Sequence, residues 1–240
     1  MFITFEGIEG CGKTTQVKLL AKELLRQGRH VTLTREPGGC AIADKIRAIL
    51  LDAGNAAMTP LTELLLYAAA RSQHLDDTVR PALAAGEIVL CDRFTDATVA
   101  YQGYGRGLDL DLIGRLNALA TNGLTPGLTV LMDCPVEVGL GRALSRINGT
   151  LGPKEERFER ESYTFHEAVR AGYLALALGE PDRFTIIDAD QPISEISAEV
   201  ARFVIARLIP YNSINQPPSI PPCQGGSFDA SPDKGRFGGV

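Results

Sequence analysis

Short apolar runs alternate with longer stretches of helical spacing across residues 1–208. The runs are Met1–Phe5, His30–Thr34, Glu87–Asp92, Leu128–Asp133 and Phe184–Asp188, and each reads as a strand. Glu87–Asp92 is almost continuously apolar, as expected of a parallel strand buried on both faces. After the first run, apolar positions 17, 20, 24 and 25 predict a helix, with Gly28 as its C-cap. Further helices are predicted over Ala41–Leu51, from Thr59-Pro60 through Arg71, over about Asp76–Ala85, and over Asp109–Ala120. Pro135 opens another that carries Arg142 and Arg146. A long helix is predicted from near Glu155 to about Leu178, and a last one over Ile193–Leu208. Tyr101–Gly107 reads as a glycine-rich, polar-aromatic segment between helices, and Asn148–Pro153 as a loop. This alternation predicts the α/β class, a three-layer α/β/α domain around a five-stranded parallel sheet. The pattern stops at Pro210, so the expected organisation is one domain over 1–210 and a Pro/Gly-rich flexible tail over 211–240.

The first strand runs into Gly7-Ile8-Glu9-Gly10-Cys11-Gly12-Lys13-Thr14-Thr15, and the first helix follows at once. This is G-x-x-x-x-G-K-T in the strand–loop–helix setting of a phosphate-binding P-loop. Glycines let backbone N–H groups curl around phosphates, and a helix N-terminus presents its positive dipole end. Lys13 is then expected on the β/γ-phosphates and the Thr14 hydroxyl on Mg²⁺. Asp92, at the end of an apolar run, suits a carboxylate that organises the metal, although such endings are common. Arg93 beside it is either functional or a local partner for Asp92. Arg35 lies in the loop Arg35-Glu36-Pro37-Gly38-Gly39 after the second strand, as a ligand contact or a solvated charge.

Composition narrows the choice. A chain of 240 residues with 45% hydrophobic content can bury a sizeable core. A net charge of −5 argues against a nucleic-acid backbone as partner. Five scattered cysteines without C-x-x-C spacing point to reduced thiols in a cytoplasmic protein. No apolar run reaches the roughly 18–20 residues that span a bilayer, and a strand at the start leaves no room for a signal peptide.

Four landmarks, in this order, resemble the bacterial type of the thymidylate kinase (dTMP kinase) family of P-loop nucleoside monophosphate kinases. They are Phe5-x-Gly7-x-Glu9-Gly10-x-Gly12-Lys13-Thr14-Thr15; Arg35-Glu36-Pro37-Gly38-Gly39; Asp92-Arg93-Phe94 with Ala100-Tyr101-Gln102-Gly103; and Arg157-Phe158-Glu159-Arg160-Glu161. The resemblance covers about residues 1–208. It implies a P-loop kinase fold with a lid at about 142–160, ATP and Mg²⁺ as cofactors, and γ-phosphoryl transfer to dTMP in a homodimer. By matched position, Gly7 to Thr15 with Arg142 hold ATP. Glu9, Arg35, Arg47, Tyr67, Arg71, Arg93, Thr98, Tyr101 and Gln102 hold dTMP. Glu9 matches the position facing the sugar 3′-hydroxyl, Arg93 the arginine on the acceptor phosphate, Tyr67 the thymine-stacking aromatic and Arg71 the arginine that bonds the base. Tyr101 stands where a 2′-hydroxyl would clash. From the residues alone, Tyr67 and Arg71, one helical turn apart, read equally well as a core tyrosine and a solvated arginine. The P-loop lacks a basic residue at Gly10 and Cys11, so the lid is expected to supply arginines: Arg142, Arg146 and Arg157, with Arg157 in the matching motif.

Departures from the family pattern are Ala97 in place of serine, Cys40 where threonine is common, Glu156 in place of aspartate, and a lengthened lid between Arg146 and Glu156. Two rivals remain. One is a kinase for another nucleoside monophosphate. The other is a nucleotide-dependent switch, which the lack of any Asn-Lys guanine motif disfavours.

Overall fold

The computed structural model describes residues 1–148, 157, 158 and 161–208. Met1–Leu208 forms one compact unit. The predicted tail over 211–240, the Gly149–Pro153 part of the predicted loop, and Glu156 all lie outside the described residues.

Five strands, β1 (Phe2–Glu6), β2 (Val31–Arg35), β3 (Ile88–Asp92), β4 (Leu128–Asp133) and β5 (Phe184–Asp188), pair in parallel in the order β2-β3-β1-β4-β5. β1 is buried along its whole length, and even Thr4 is satisfied, its hydroxyl 2.9 Å from that of Thr129 on β4. Helices cover the sheet: α1 (Lys13–Arg26), α2 (Ala41–Leu51), α3 (Pro60–His74), α4 (Arg80–Ala84), α5 (Thr95–Thr98), α6 (Leu110–Thr121), α7 (Val136–Asn148), α8 (Tyr163–Gly179) and α9 (Ile193–Leu208). The register brings Arg35, Asp92 and Phe5 side by side, so the strands deliver charge to one edge. β1 is flanked by β3 and β4, which makes that edge the crevice where an open parallel sheet takes its ligand.

Three expectations about elements change. The two helices expected between Pro60 and Ala85 form one continuous path, because a π-helical turn over Leu75–Val79 joins α3 to α4 and buries both Leu75 and Val79. The glycine-rich Tyr101–Gly107 segment is helical too, as a π-helical turn over Val99–Gly105 that continues α5. Its glycines are packing contacts: a Cβ on Gly103 would lie 2.5 Å from Leu110, and one on Gly105 2.6 Å from Phe165. Finally, α8 starts at Tyr163 and not near Glu155. Ser162 caps it, its Oγ accepting the Phe165 N–H at 3.2 Å, and Arg157-Phe158 form a turn before it. Among the described residues no helix is long and apolar enough to cross a membrane.

Candidate active site

The P-loop leaves β1, packs Gly10 against α7 and runs into α1. Gly10 has φ +70°, and a Cβ there would lie 1.9 Å from the Gly139 carbonyl of α7, so only glycine fits. Lys13 is buried. Its ammonium donates to the carbonyls of Gly7 at 3.0 Å and Ile8 at 2.8 Å. The Thr14 hydroxyl donates to Asp92 Oδ2 at 2.5 Å, joining the loop to the end of β3. One hydroxyl and one carboxylate are a hard, oxygen-only pair. It leaves most positions of an octahedral ion to phosphate and water, so the residues fit Mg²⁺. Gly10 to Gln16 then line a hollow of about 430 Å³, with Arg142, Arg146 and the Ala189–Ile193 turn opposite.

On the other side of the loop opens a cleft of about 630 Å³, lined by all nine residues expected to hold dTMP. Glu9 is among the residues that line it. The carboxylate accepts from Arg93 Nη2 at 2.8 Å and from the Tyr101 hydroxyl at 2.5 Å. His166 Nδ1 stands 3.4 Å from Glu9 Oε2 without hydrogen-bond geometry, and neither atom has a hydrogen-bond partner among the described residues. Burial alone would raise the Glu9 carboxyl. The Arg93 guanidinium opposes it most strongly and, with His166, Lys13 and Tyr101, brings the carboxyl down to about 2 from its ordinary 4.5. Arg93 also donates to the Gly7 carbonyl at 3.0 Å, and its guanidinium lies 4.8 Å from the centre of the Tyr101 ring.

Behind this layer Arg71 is 1% exposed, so it is not a solvated arginine. It donates to Glu36 Oε2 (2.8 Å), Asn117 Oδ1 (2.8 Å), the Phe94 carbonyl (3.0 Å) and Thr98 Oγ1 (2.9 Å). Those bonds use four of the five N–H groups a guanidinium carries. Glu36 also accepts from His74 Nδ1 at 3.0 Å, so a buried acid joins β2 to α3. Tyr67, one turn before Arg71, is half-buried on the cleft wall. Arg47 donates to the Pro37 carbonyl at 2.9 Å. Arg35 stays 56% exposed near Asp44, consistent with either reading of it.

A family model described as thymidylate kinase matches residues 5–200. The chain is 68% identical over 207 residues to the thymidylate kinase of Geotalea uraniireducens, covering 86% of this chain and 97% of that protein. It is 61% identical to that of Geobacter sulfurreducens, with the same coverage. The chain belongs to the thymidylate kinase family. The crystal structure of thymidylate kinase from Ehrlichia chaffeensis superposes with a TM-score of 0.67 at 35% identity, over 85% of this chain and 98% of that one.

Against this family pattern, the arginines expected from the lid separate. Arg142 faces the hollow at the P-loop, paired with Asp190 at 3.0 Å and the Ala189 carbonyl at 2.9 Å. Arg146 lines both the hollow and the cleft, where they meet. Arg157, the expected partner of the transferring phosphoryl, lines neither. It is buried, bonded to Glu63 and, at 3.3 Å, to the Leu50 carbonyl. The reason is Glu63 itself, a fully buried carboxylate on α3 that also takes Gln102 Nε2 at 2.8 Å and Arg106 at 3.3 Å. A buried charge of this kind needs cations around it.

Sequence reading missed Glu6, Glu63, His166 and Tyr173. The last two had a signal: with Phe165, Val169 and Ala177 they share the buried face of α8, where polar residues interrupt an apolar stripe. Glu6 read only as the last residue before the loop, and nothing local marked Glu63.

Proposed function

We propose that this chain transfers the γ-phosphoryl group of ATP, bound with Mg²⁺, to dTMP, giving ADP and dTDP. One observation carries the reading. Lys13 and Arg93 converge on the same Gly7 carbonyl oxygen, each at 3.0 Å, one from the P-loop and the other from the cleft. Two cations meeting there suit the junction of two phosphates, one from each side. Transfer between phosphates needs no covalent nucleophile on the protein, because the acceptor oxygen is already ionised. Positioning and charge stabilisation therefore carry the reaction.

In this reading Lys13 and the loop amides hold the donor, and Arg93 orients the acceptor phosphate. Glu9 keeps Arg93 in place and receives the sugar 3′-hydroxyl. Thr14 and Asp92 would hold Mg²⁺, which supplies charge neutralisation between the phosphates. Tyr67 stacks on the base, and Arg71 with its remaining N–H reads a base carbonyl, supported by Thr98 and Gln102. Tyr101 crowds the 2′ position. Arg142 and Arg146 serve the donor side. Arg157 acts on the phosphoryl group only if it leaves Glu63; as it stands it is a tether. The domain over 1–210 is the catalytic unit, and the tail over 211–240 is dispensable.

The family resemblance adds a homodimer and a cytoplasmic location. Ile42 and Ile49 on α2 and Leu61 and Leu65 on α3, each about half exposed, offer a neighbouring copy an apolar face; sedimentation equilibrium tests this. A coupled ADP-release assay across all nucleoside monophosphates tests the reaction. The expected result is dTMP above dUMP by a modest factor and both far above dCMP. Turnover of dCMP within about tenfold of dTMP, as kcat/KM, would shift the reading to another nucleotide kinase.

A further inference from the structure

Glu6, the last residue of β1, has a fully buried carboxylate with two partners. Oε1 accepts the Phe94 N–H at 2.7 Å, and Oε2 accepts the Tyr173 hydroxyl at 2.8 Å. With its proton directed at Glu6, the Tyr173 oxygen accepts Arg93 Nη1–H at 3.0 Å. Arg93 itself has φ +72°, a left-handed conformation uncommon outside glycine. Its own N–H is bonded to the Phe5 carbonyl at 2.9 Å, and the next N–H, that of Phe94, goes to Glu6. Glu6 therefore grips Arg93 at both ends, the main chain through Phe94 and the guanidinium through Tyr173.

We propose that Glu6 is a positioning residue for the arginine that holds the acceptor phosphate, acting through the Phe94 amide and the Tyr173 hydroxyl. The inference rests on the reading of Arg93 given above. Packing alone does not account for a carboxyl here. Burial chiefly, with Asp96 on α5, raises it, and Arg93, the Tyr173 hydroxyl and the Phe94 amide oppose this only in part, leaving it at about 7. An apolar side chain would fill the space without that penalty. What a carboxylate alone supplies is two acceptor oxygens. Glutamine would offer one oxygen and one NH₂, which must face either the Phe94 N–H or the Tyr173 hydroxyl. In the second case the hydroxyl proton turns toward Arg93.

The test compares dTMP with thymidine, which has the same base and sugar and no phosphate, by calorimetric titration of the full chain. Glu6→Gln and Tyr173→Phe should each weaken dTMP binding about tenfold, the scale of one hydrogen bond to a charged group, and thymidine binding less than twofold. Arg93→Ala should show the same selectivity with a larger factor. Tyr173→Phe keeps the ring in place, so it decides the matter alone should Glu6→Gln not fold. If either variant weakens both ligands by the same factor, or neither, while Arg93→Ala remains selective for dTMP, Glu6 is merely structural and the inference falls. If Arg93→Ala spares the preference for dTMP, the assignment of Arg93 is wrong and the inference goes with it.

Discussion

The two sides of the P-loop are made of different materials. On the side of α7 and the Ala189–Ile193 turn, contacts come from main chain and from solvated groups: Arg142 is 44% exposed and its partner Asp190 45%. On the side of β2, α3 and α5, Glu9, Glu36, Arg71, Thr98, Tyr101 and Gln102 are all buried, each bonded to a charged or hydroxyl partner. On the function proposed above, the contrast follows from what each side would have to recognise. A triphosphate is gripped by amides and a dipole whatever nucleoside carries it. A particular base and sugar are told apart only by desolvated donors and acceptors, which are costly to leave unpaired. Substitutions should therefore be severe on one side and mild on the other, the shared Gly7 junction excepted.

The largest effect is expected at Arg71. Arg71→Ala takes the guanidinium from the buried Glu36 carboxylate, which keeps only its His74 contact, and should destabilise the fold by about 3–5 kcal/mol, read by urea unfolding. In whatever folded enzyme remains, discrimination against dCMP should erode more than the dTMP/dUMP ratio. At the junction, Lys13→Ala and Arg93→Ala should each cut kcat by about 10²–10³, the scale of losing one preorganised charge. Wild-type turnover in either would break the comparison at its centre.

Acid gives a smaller and gradual effect on the cleft side. Because the Glu9 carboxyl sits at about 2 when folded against 4.5 ordinarily, its contribution is present above about pH 4.5 and lost as pH falls toward 2. That contribution is about 3 kcal/mol, and Glu9→Gln should flatten the acid limb of stability measured between pH 2 and 5. Glu6, raised to about 7, works in the opposite sense: its contribution is complete below about pH 4.5 and lost as pH rises through 7. The smallest effect is expected at Arg142, whose exposed ion pair is worth at most about 1 kcal/mol. Arg142→Ala should raise KM for ATP a few-fold and leave dTMP binding untouched in the same titration; an effect as large as at Arg71 would erase the distinction.

The same contrast decided what could be read in advance. Gly7 to Thr15 are contiguous, so spacing alone predicted the strand–loop–helix turn that joins β1 to α1. β4, β5, α2 and α9 were legible to the residue, since each is a clean apolar run or a periodic stretch between breakers. The residues bordering the cleft were legible through family landmarks, but their bonding was not. Glu6 meets Tyr173 across 167 positions and Glu63 meets Arg157 across 94, and no local pattern encodes such pairs. Glycine misled at Gly103 and Gly105, where close packing and not a turn requires it.

The carboxylate of Glu63 has a consequence for inheritance. Residues 63, 102, 106 and 157 share one polar cluster around a buried carboxylate although they are scattered over three separate stretches of chain. Changing one of them alone leaves the buried acid short of a partner, so each is expected to tolerate substitution only in the company of the others. A chimera joining the first hundred residues of this chain to the remainder of a distant relative would carry both P-loop and lid motifs intact. It would still misfold wherever the donor parent had settled on a different counter-charge for that one acid.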